Sequence, residues 1–189
     1  GLGGNRLTQL GCFYVDLTRA TIRLFLPLAL VVAVLLMSQG TPMTFEGAAK
    51  ATTVESAEQT IARGVTAGVV SIKQLGTNGG GWYGPNSTVP LENPTPLSNL
   101  FQLASIILIP MAMVFMMGRF TRRPKLALLT FGVMAFFSLA FIGSALWSES
   151  QPNGAAEGLA ATQPNMEGKE QRFGPNASAL WSTITTQTS

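Results

Sequence analysis

The sequence predicts an all-α membrane protein, and three observations carry that reading. Only 11% of the 189 residues are charged while 47% are hydrophobic, so the mean hydropathy is positive and the chain favours lipid over water. Two stretches, Leu100–Gly118 and Leu126–Trp147, contain no charge and match the ~20 residues with which a helix crosses a ~30 Å hydrocarbon core. Between apolar runs lies the glycine-rich segment "GTNGGG", Gly76–Gly81, where continuous helix is not possible. The predicted class is therefore transmembrane helices joined by re-entrant half-helices and an extended loop.

Each element follows in chain order. The apolar run Leu24–Met37 is short for a crossing and needs Ala20–Arg23 to complete one, with Arg23 snorkelling to the headgroups; this places the first span near residues 20–38. "TTVE", Thr52–Glu55, has the Thr-x-x-Glu spacing of a capping box and is expected to open a helix. "IARGVTAGVVSIKQL", Ile61–Leu75, is apolar enough to leave water, but as a helix it reaches only about 22 Å, and Arg63 and Lys73 interrupt it. It is expected to dip in and stop as a half-helix near 62–75. After the glycines, Pro90, Pro94 and Pro96 forbid a continuous helix through the polar return. The second span, near 99–118, carries Gln102 and Ser105 as its notable polar residues and Pro110 as a bend tolerated in a membrane helix. A third span near 126–147 and a second half-helix near 175–186 complete the order.

Basic residues set the orientation. Arg6, Arg19 and Arg23 precede the first span, and Arg119, Arg122, Arg123 and Lys125 fill the acid-free link "GRFTRRPK" between the other two, so both faces are expected on the cytoplasmic side. Every acidic residue except Asp16 then lies outside, in Ser38–Asn99 or beyond Ser148.

This order makes the glycine segment informative. Non-helical backbone is tolerated at membrane depth only where protein buries it or where it lines a water-filled cavity. Glycines accept backbone angles other residues resist and put no side chain in the path. A ring of their carbonyls can replace the water around a dehydrated potassium ion, and a half-helix ending there turns its partial negative end toward the cation. The candidate site is therefore the backbone of Gly76, Thr77, Asn78, Gly79, Gly80 and Gly81. The competing reading is a flexible external turn in a membrane-anchored structural or interaction protein whose glycine loop binds nothing. A phosphate cradle is excluded by spacing, since neither G-x-x-x-x-G-K-[ST] nor G-x-G-x-x-G is present.

Composition narrows the chemistry further. One cysteine, Cys12, and no histidine remove disulfide frameworks, Cys/His zinc sites and histidine-dependent triads, leaving no metal but potassium and no catalytic residue. Cys12 is expected to be packed as an apolar residue. A net charge of +3 without an aromatic–basic stripe argues against nucleic acid. Glu92, Glu167 and Glu170 fall in expected outer loops and read as solvated or structural.

The residues also carry a resemblance. "IKQLGTNGGGWYGPNSTVPLENPTPLSN", Ile72–Asn99, resembles the second filter loop of the potassium-binding A subunit of Kdp-type potassium-transporting ATPases, and "NMEGKEQRFG", Asn165–Gly174, resembles that family's segment before its third pore helix. Trp82 and Tyr83 stand where many members carry two phenylalanines, and Val70 where a glutamate is common. Members are about three times this length, so the chain resembles an internal fragment with one complete filter loop and the lead into another. The resemblance implies a potassium-channel-like repeat over 1–118 (span, pore half-helix, filter loop, span), a cytoplasmic link at 119–125, and the start of the next repeat over 126–189. It implies potassium transport without catalysis, with ATP hydrolysis on a separate P-type ATPase subunit and small accessory subunits completing the complex. The implied setting is multi-pass in the lipid of a bacterial cytoplasmic (inner) membrane, with the potassium ion bound and no organic cofactor.

Overall fold

The computed structural model describes residues 11–77, 80–84, 86–151, 166 and 169–188. Their order is α1 (Phe13–Ala20), a π-helical turn (Thr21–Phe25), α2 (Leu26–Ser38), β1 (Ala48–Thr52), β2 (Glu58–Ala62), α3 (Thr66–Leu75), α4 (Pro96–Phe120), α5 (Pro124–Ser150) and α6 (Gly174–Thr188). Among the described residues, three helices are long and apolar enough to cross a membrane: Phe13–Ser38, Pro96–Phe120 and Pro124–Ser150. Large apolar side chains such as Leu30, Phe136 and Leu139 are exposed along them, as lipid-facing surfaces require. The first span is longer than the sequence suggests, because helix continues back through Arg23 and Arg19 to Phe13. The π-helical turn has a local cause. Pro27 offers no N–H to the carbonyl of Arg23, so the ordinary ladder is interrupted there.

The chain divides into two compact units, Thr21–Ser105 and the remainder. In the first, α2 packs on α3, with Val32, Ala33 and Leu36 buried on one helix and Ala67, Val70 and Leu75 on the other. A Schellman motif ends α2: Gly40 adopts φ +98°, its N–H bonds to the Met37 carbonyl, and Thr41 N–H bonds back to Leu36. Helix α3 has no side-chain cap, but the Pro42 carbonyl accepts from Ala67 N–H at 3.0 Å and relieves one orphan donor. Thr95 and Ser98 cap α4 reciprocally, each hydroxyl accepting the other's backbone N–H at 3.0 Å, with Pro96 in the first turn. The helix then runs unbroken through Pro110.

Two expectations are corrected here. The fold is mostly helical rather than all-α, because Thr52–Glu55 opens no helix. Thr52 instead closes β1, and β1 pairs antiparallel with β2 in the register Ala48↔Ala62 to Thr52↔Glu58. Thr53 serves the turn, its hydroxyl accepting Ala57 N–H at 3.1 Å while Ser56 takes φ +63°. Hydroxyl side chains compete for local backbone donors in turns as readily as at helix starts, which is why so short a pattern misleads. The hairpin also delays the half-helix, which begins at Thr66 and not at 62.

In the second unit, α4 and α5 meet at a tight turn. Arg123 N–H bonds to the Gly118 carbonyl at 2.9 Å, Arg122 takes φ +55°, and a Cβ on Gly118 would lie 2.3 Å from that of Ala127. Helix α6 packs on α5, with Ala179, Ile184 and Thr185 buried and Ser138 donating to Gln187 Oε1 at 2.7 Å. Lys169 pairs with Glu149 just ahead of α6. Cys12 is exposed rather than packed, since it lies just ahead of the first helix.

Candidate functional site

Helix α3 delivers the chain to the glycine segment. Ten residues long, it reaches about 15 Å, roughly half a hydrocarbon core. Its last turn closes on Gly76, whose N–H bonds to Ile72, and Thr77 N–H bonds to Gln74 at 3.2 Å. Thr77 then adopts φ +54° and Gly80 φ +117°. Positive angles interspersed in an open segment turn carbonyls away from the simple alternation of a strand. Gly81 is needed for a different reason: a Cβ there would lie 2.0 Å from the Gly84 carbonyl oxygen. Of the six predicted site residues, Gly76, Thr77, Gly80 and Gly81 are thus placed, and Asn78 and Gly79 lie outside the described residues.

The loop is fastened to its unit by buried polar groups. Glu92, read from the sequence as solvated or structural, has no exposed surface and is structural. Its Oε1 accepts from Trp82 N–H at 2.7 Å and Tyr83 N–H at 2.9 Å, while its Oε2 lies 3.1 Å from Lys73 Nζ, itself only 2% exposed. The burial has a physical reason: a carboxylate in a proline-rich return is carried inward when an opposite charge and two backbone donors await it, since burying it unpaired is prohibitive. Lys73 also donates to Ser87 Oγ, which accepts a second bond from Gln74 Nε2 at 3.1 Å. Gln74 Nε2 reaches Gln102 Oε1 at 2.7 Å, and Gln102 Nε2 returns to the Glu92 carbonyl at 2.9 Å. Beside this group, Asn93 donates to Asn99 Oδ1 and accepts from Ser98. Ser98, Gln102 and Ser105 recur at helical spacing along α4, so one stripe of an apolar span is polar and buried.

The far end of the loop is held by its aromatics. The Tyr83 hydroxyl donates to the Ala62 carbonyl, and the Trp82 ring lies over Gly64, where a Cβ would come within 2.2 Å of the indole. Among the other carboxylates, Glu170 is half-exposed and paired with Arg172 at 3.0 Å, and Glu167 lies outside the described residues. Among the described residues, no group of three His, Cys, Asp or Glu side chains is gathered as for a transition metal.

This buried network was not anticipated as a unit. Its signal was present: Lys73 and Gln74 adjacent at the end of a short, largely apolar helix, one glutamate in the return, and one glutamine in the uncharged stretch Leu100–Gly118, polar residues that burial would not tolerate unpartnered.

Comparison with known proteins decides the family. Residues 1–189 match the family described as Potassium-transporting ATPase A subunit, KdpA. The chain belongs to this family. Proteins named potassium-transporting ATPase potassium-binding subunit are similar to it over its whole length or nearly so. The one from Pseudomonas aeruginosa is 49% identical over 190 residues, covering 100% of this chain and 34% of the relative. That of Pseudomonas putida is 48% identical over 190 residues with the same coverage, and that of Bacteroides thetaiotaomicron 49% identical over 182 residues, covering 95% of this chain and 32% of its own length. The chain therefore spans about a third of these relatives. Membership bears out the resemblance drawn from Ile72–Asn99 and Asn165–Gly174, and the three apolar helices suit a membrane subunit.

Proposed function

We propose that this chain forms part of the potassium-binding and translocating membrane subunit of an ATP-driven potassium uptake complex. In this reading the backbone carbonyls of Gly76–Gly81, including Asn78 and Gly79, coordinate the dehydrated ion. The observation that carries it is the attachment of the loop: it leaves the C-terminal end of a half-length helix and is tied at Trp82 and Tyr83 to a carboxylate with no exposed surface. A turn that merely joined two spans would need no such anchor. Carbonyl coordination selects potassium when the number and placement of the carbonyls replace its lost hydration. The partial negative end of α3 adds a favourable potential for a cation at Gly76.

The relatives' printed names call them potassium-binding subunits of an ATPase, which supports potassium as the ion. The division of labour follows: this subunit binds and admits the ion without catalysis and without an organic cofactor. ATP hydrolysis takes place on a separate P-type ATPase subunit, and small accessory subunits complete the complex. The setting is multi-pass in the bacterial cytoplasmic membrane. Residues 1–118 make one repeat, 119–125 a cytoplasmic link, and 126–189 the start of another whose α6 occupies the place α3 holds in the first. A single loop contributes part of the carbonyl ring, and other repeats of the full-length protein contribute the rest.

The test is potassium-limited growth and uptake in cells that depend on the full-length protein. Gly80→Ala and Gly81→Ala are expected to raise the potassium concentration required at unchanged membrane abundance. Uptake with parental affinity in both variants would remove the loop from the ion site.

A further inference from the structure

Among the described residues, Lys73 and Glu92 are the charged side chains that are fully buried, and their positions along the sequence are informative. Lys73 stands three residues before Gly76, and the backbone groups that Glu92 holds, Trp82 N–H and Tyr83 N–H, follow directly after Gly81. The carboxylate divides its work between the two sides, with Oε2 on the lysine and Oε1 on the loop. A Cβ on Gly81 would stand 3.1 Å from the same Oε1, so the carboxylate lies against the last glycine itself. A second strap runs parallel: Gln74 to Gln102 at 2.7 Å, and Gln102 to the Glu92 carbonyl at 2.9 Å. Entry and exit of the glycine segment are thereby clamped to one another through a single residue.

We propose that the Lys73–Glu92 pair is a positioning brace that fixes the backbone on either side of the glycine segment, at the end of α3 and at Gly81–Tyr83, and with it the discrimination between potassium and the slightly larger rubidium ion. The inference rests on the reading of this loop as the ion site. Stability alone does not explain the pair, because apolar residues of similar volume usually replace a buried ion pair without loss. The carboxylate does what no apolar residue can: it accepts two adjacent backbone N–H groups at a fixed point. The pair is also neutral as a whole, so it adds little net field to the ion path, and its influence is geometric.

That physics supplies the test. In the full-length protein, expressed with its partner subunits in cells that depend on it for potassium, potassium and rubidium uptake are measured in competition at quantified membrane abundance. Lys73→Met with Glu92→Met removes the brace while keeping volume and neutrality. Glu92→Asp keeps the charge but withdraws the carboxylate by about one carbon–carbon bond, ~1.5 Å. Both are expected to narrow the potassium-to-rubidium ratio by about tenfold, the factor that corresponds to ~1.4 kcal/mol. Lys73→Met with Glu92→Gln restores an oxygen for Trp82 and Tyr83 without an unpaired cation, and is expected to recover most of the discrimination. A change of stability alone would not give this order. An unchanged ratio in Glu92→Asp overturns the proposal, whether or not the double methionine variant reaches the membrane. Gly81→Ala separates the two levels: if it weakens potassium uptake while the brace variants keep the parental ratio, only the brace is refuted, and if it too behaves as the parent, the loop is not the ion site.

Discussion

Replacing Gly81 by alanine places a methyl group where the structure has no room. The new Cβ would lie 2.0 Å from the Gly84 carbonyl oxygen, 3.0 Å from its carbon and 3.1 Å from Glu92 Oε1. Ordinary contact with an oxygen needs more than 3 Å, so the backbone at Gly81 or Gly84 must retreat by about 1 Å or more, and it cannot do so by turning a side chain. Overpacking of this kind costs ~1–3 kcal/mol. The segment that yields is held at Trp82 and Tyr83 by hydrogen bonds to a charged acceptor, each worth ~1.5–3 kcal/mol, so the displacement is expected to fall on the glycine segment on the other side. If that cost appears in ion binding, affinity falls by about 5- to 150-fold. Gly47 is the matched control, with negative φ and open space around its Cβ position in the same unit. Apparent potassium affinity would be measured from uptake by cells carrying each full-length variant, with membrane abundance equalised. Gly81→Ala should show the loss and Gly47→Ala should match the parent. Parental affinity in Gly81→Ala, with normal abundance, would refute both the steric argument and the place of Gly81 in the ion site.

Other expectations follow from separate parts of the molecule. Single cysteines at Arg122 and Lys125 in the full-length protein should react with membrane-impermeant thiol reagents only from the cytoplasmic side, because the basic link between α4 and α5 obeys the positive-inside rule; labelling from outside would invert the topology. Gly64→Ala drives a methyl group to within 2.2 Å of the Trp82 indole and should lower thermal stability by about 1–3 kcal/mol, read as the unfolding midpoint in detergent, whereas an unchanged midpoint would show that the ring swings aside freely. The Arg172 hydrogen bond holds the Glu170 carboxyl below its ordinary value. The stabilisation it brings is present above the unfolded carboxylate range and lost as pH falls through the lowered value, and because Glu170 is 35% exposed it should stay below ~1 kcal/mol. Glu170→Gln should therefore cost little at neutral pH and nothing in acid, and a larger deficit in acid than at neutral pH would reverse the assignment.

The helical spans were legible because lipid imposes a rule that composition reveals directly. An uncharged stretch such as Leu126–Trp147 has few alternatives, and α5 extends only slightly beyond it at each end. The short helix α3 was legible by elimination, since Ile61–Leu75 is too short to cross. What failed was local and polar. Thr52–Glu55 satisfies a helix-start pattern and a hairpin turn equally well, and the choice belongs to the strand partner at Glu58–Ala62, which periodicity does not announce. For Glu92 the solvated and the structural reading could not be separated, for the opposite reason. Its neighbours in sequence are prolines, asparagine and threonine, which suggest water, whereas its neighbours in space are Lys73 and the backbone of Trp82 and Tyr83, between nine and nineteen residues away. Burial of a charge is decided by partners at long range, and a single sequence displays them only as isolated exceptions to their surroundings.

Those exceptions deserve to be read together. Lys73 occupies a helix whose other buried positions are small or apolar apart from Thr66, Ser71 and Gln74, and Gln102 occupies a span whose one charge is Arg119 in its last turn. Each alone is costly: an unpaired ammonium in low dielectric loses several kcal/mol of solvation, and an unpaired amide roughly 1–3. Together with Ser87, whose hydroxyl accepts from both Lys73 and Gln74, they close a circuit through Glu92 and Gln102, and the cost is largely offset. Gln74 Oε1 remains the buried acceptor without a protein partner. A chain adapted only to sit in lipid would have removed all four residues at no loss of hydrophobic burial. Their placement, with Lys73 and Gln74 just before the glycine segment and Glu92 holding the backbone just after it, suits a glycine-rich stretch that has few side chains of its own to hold it.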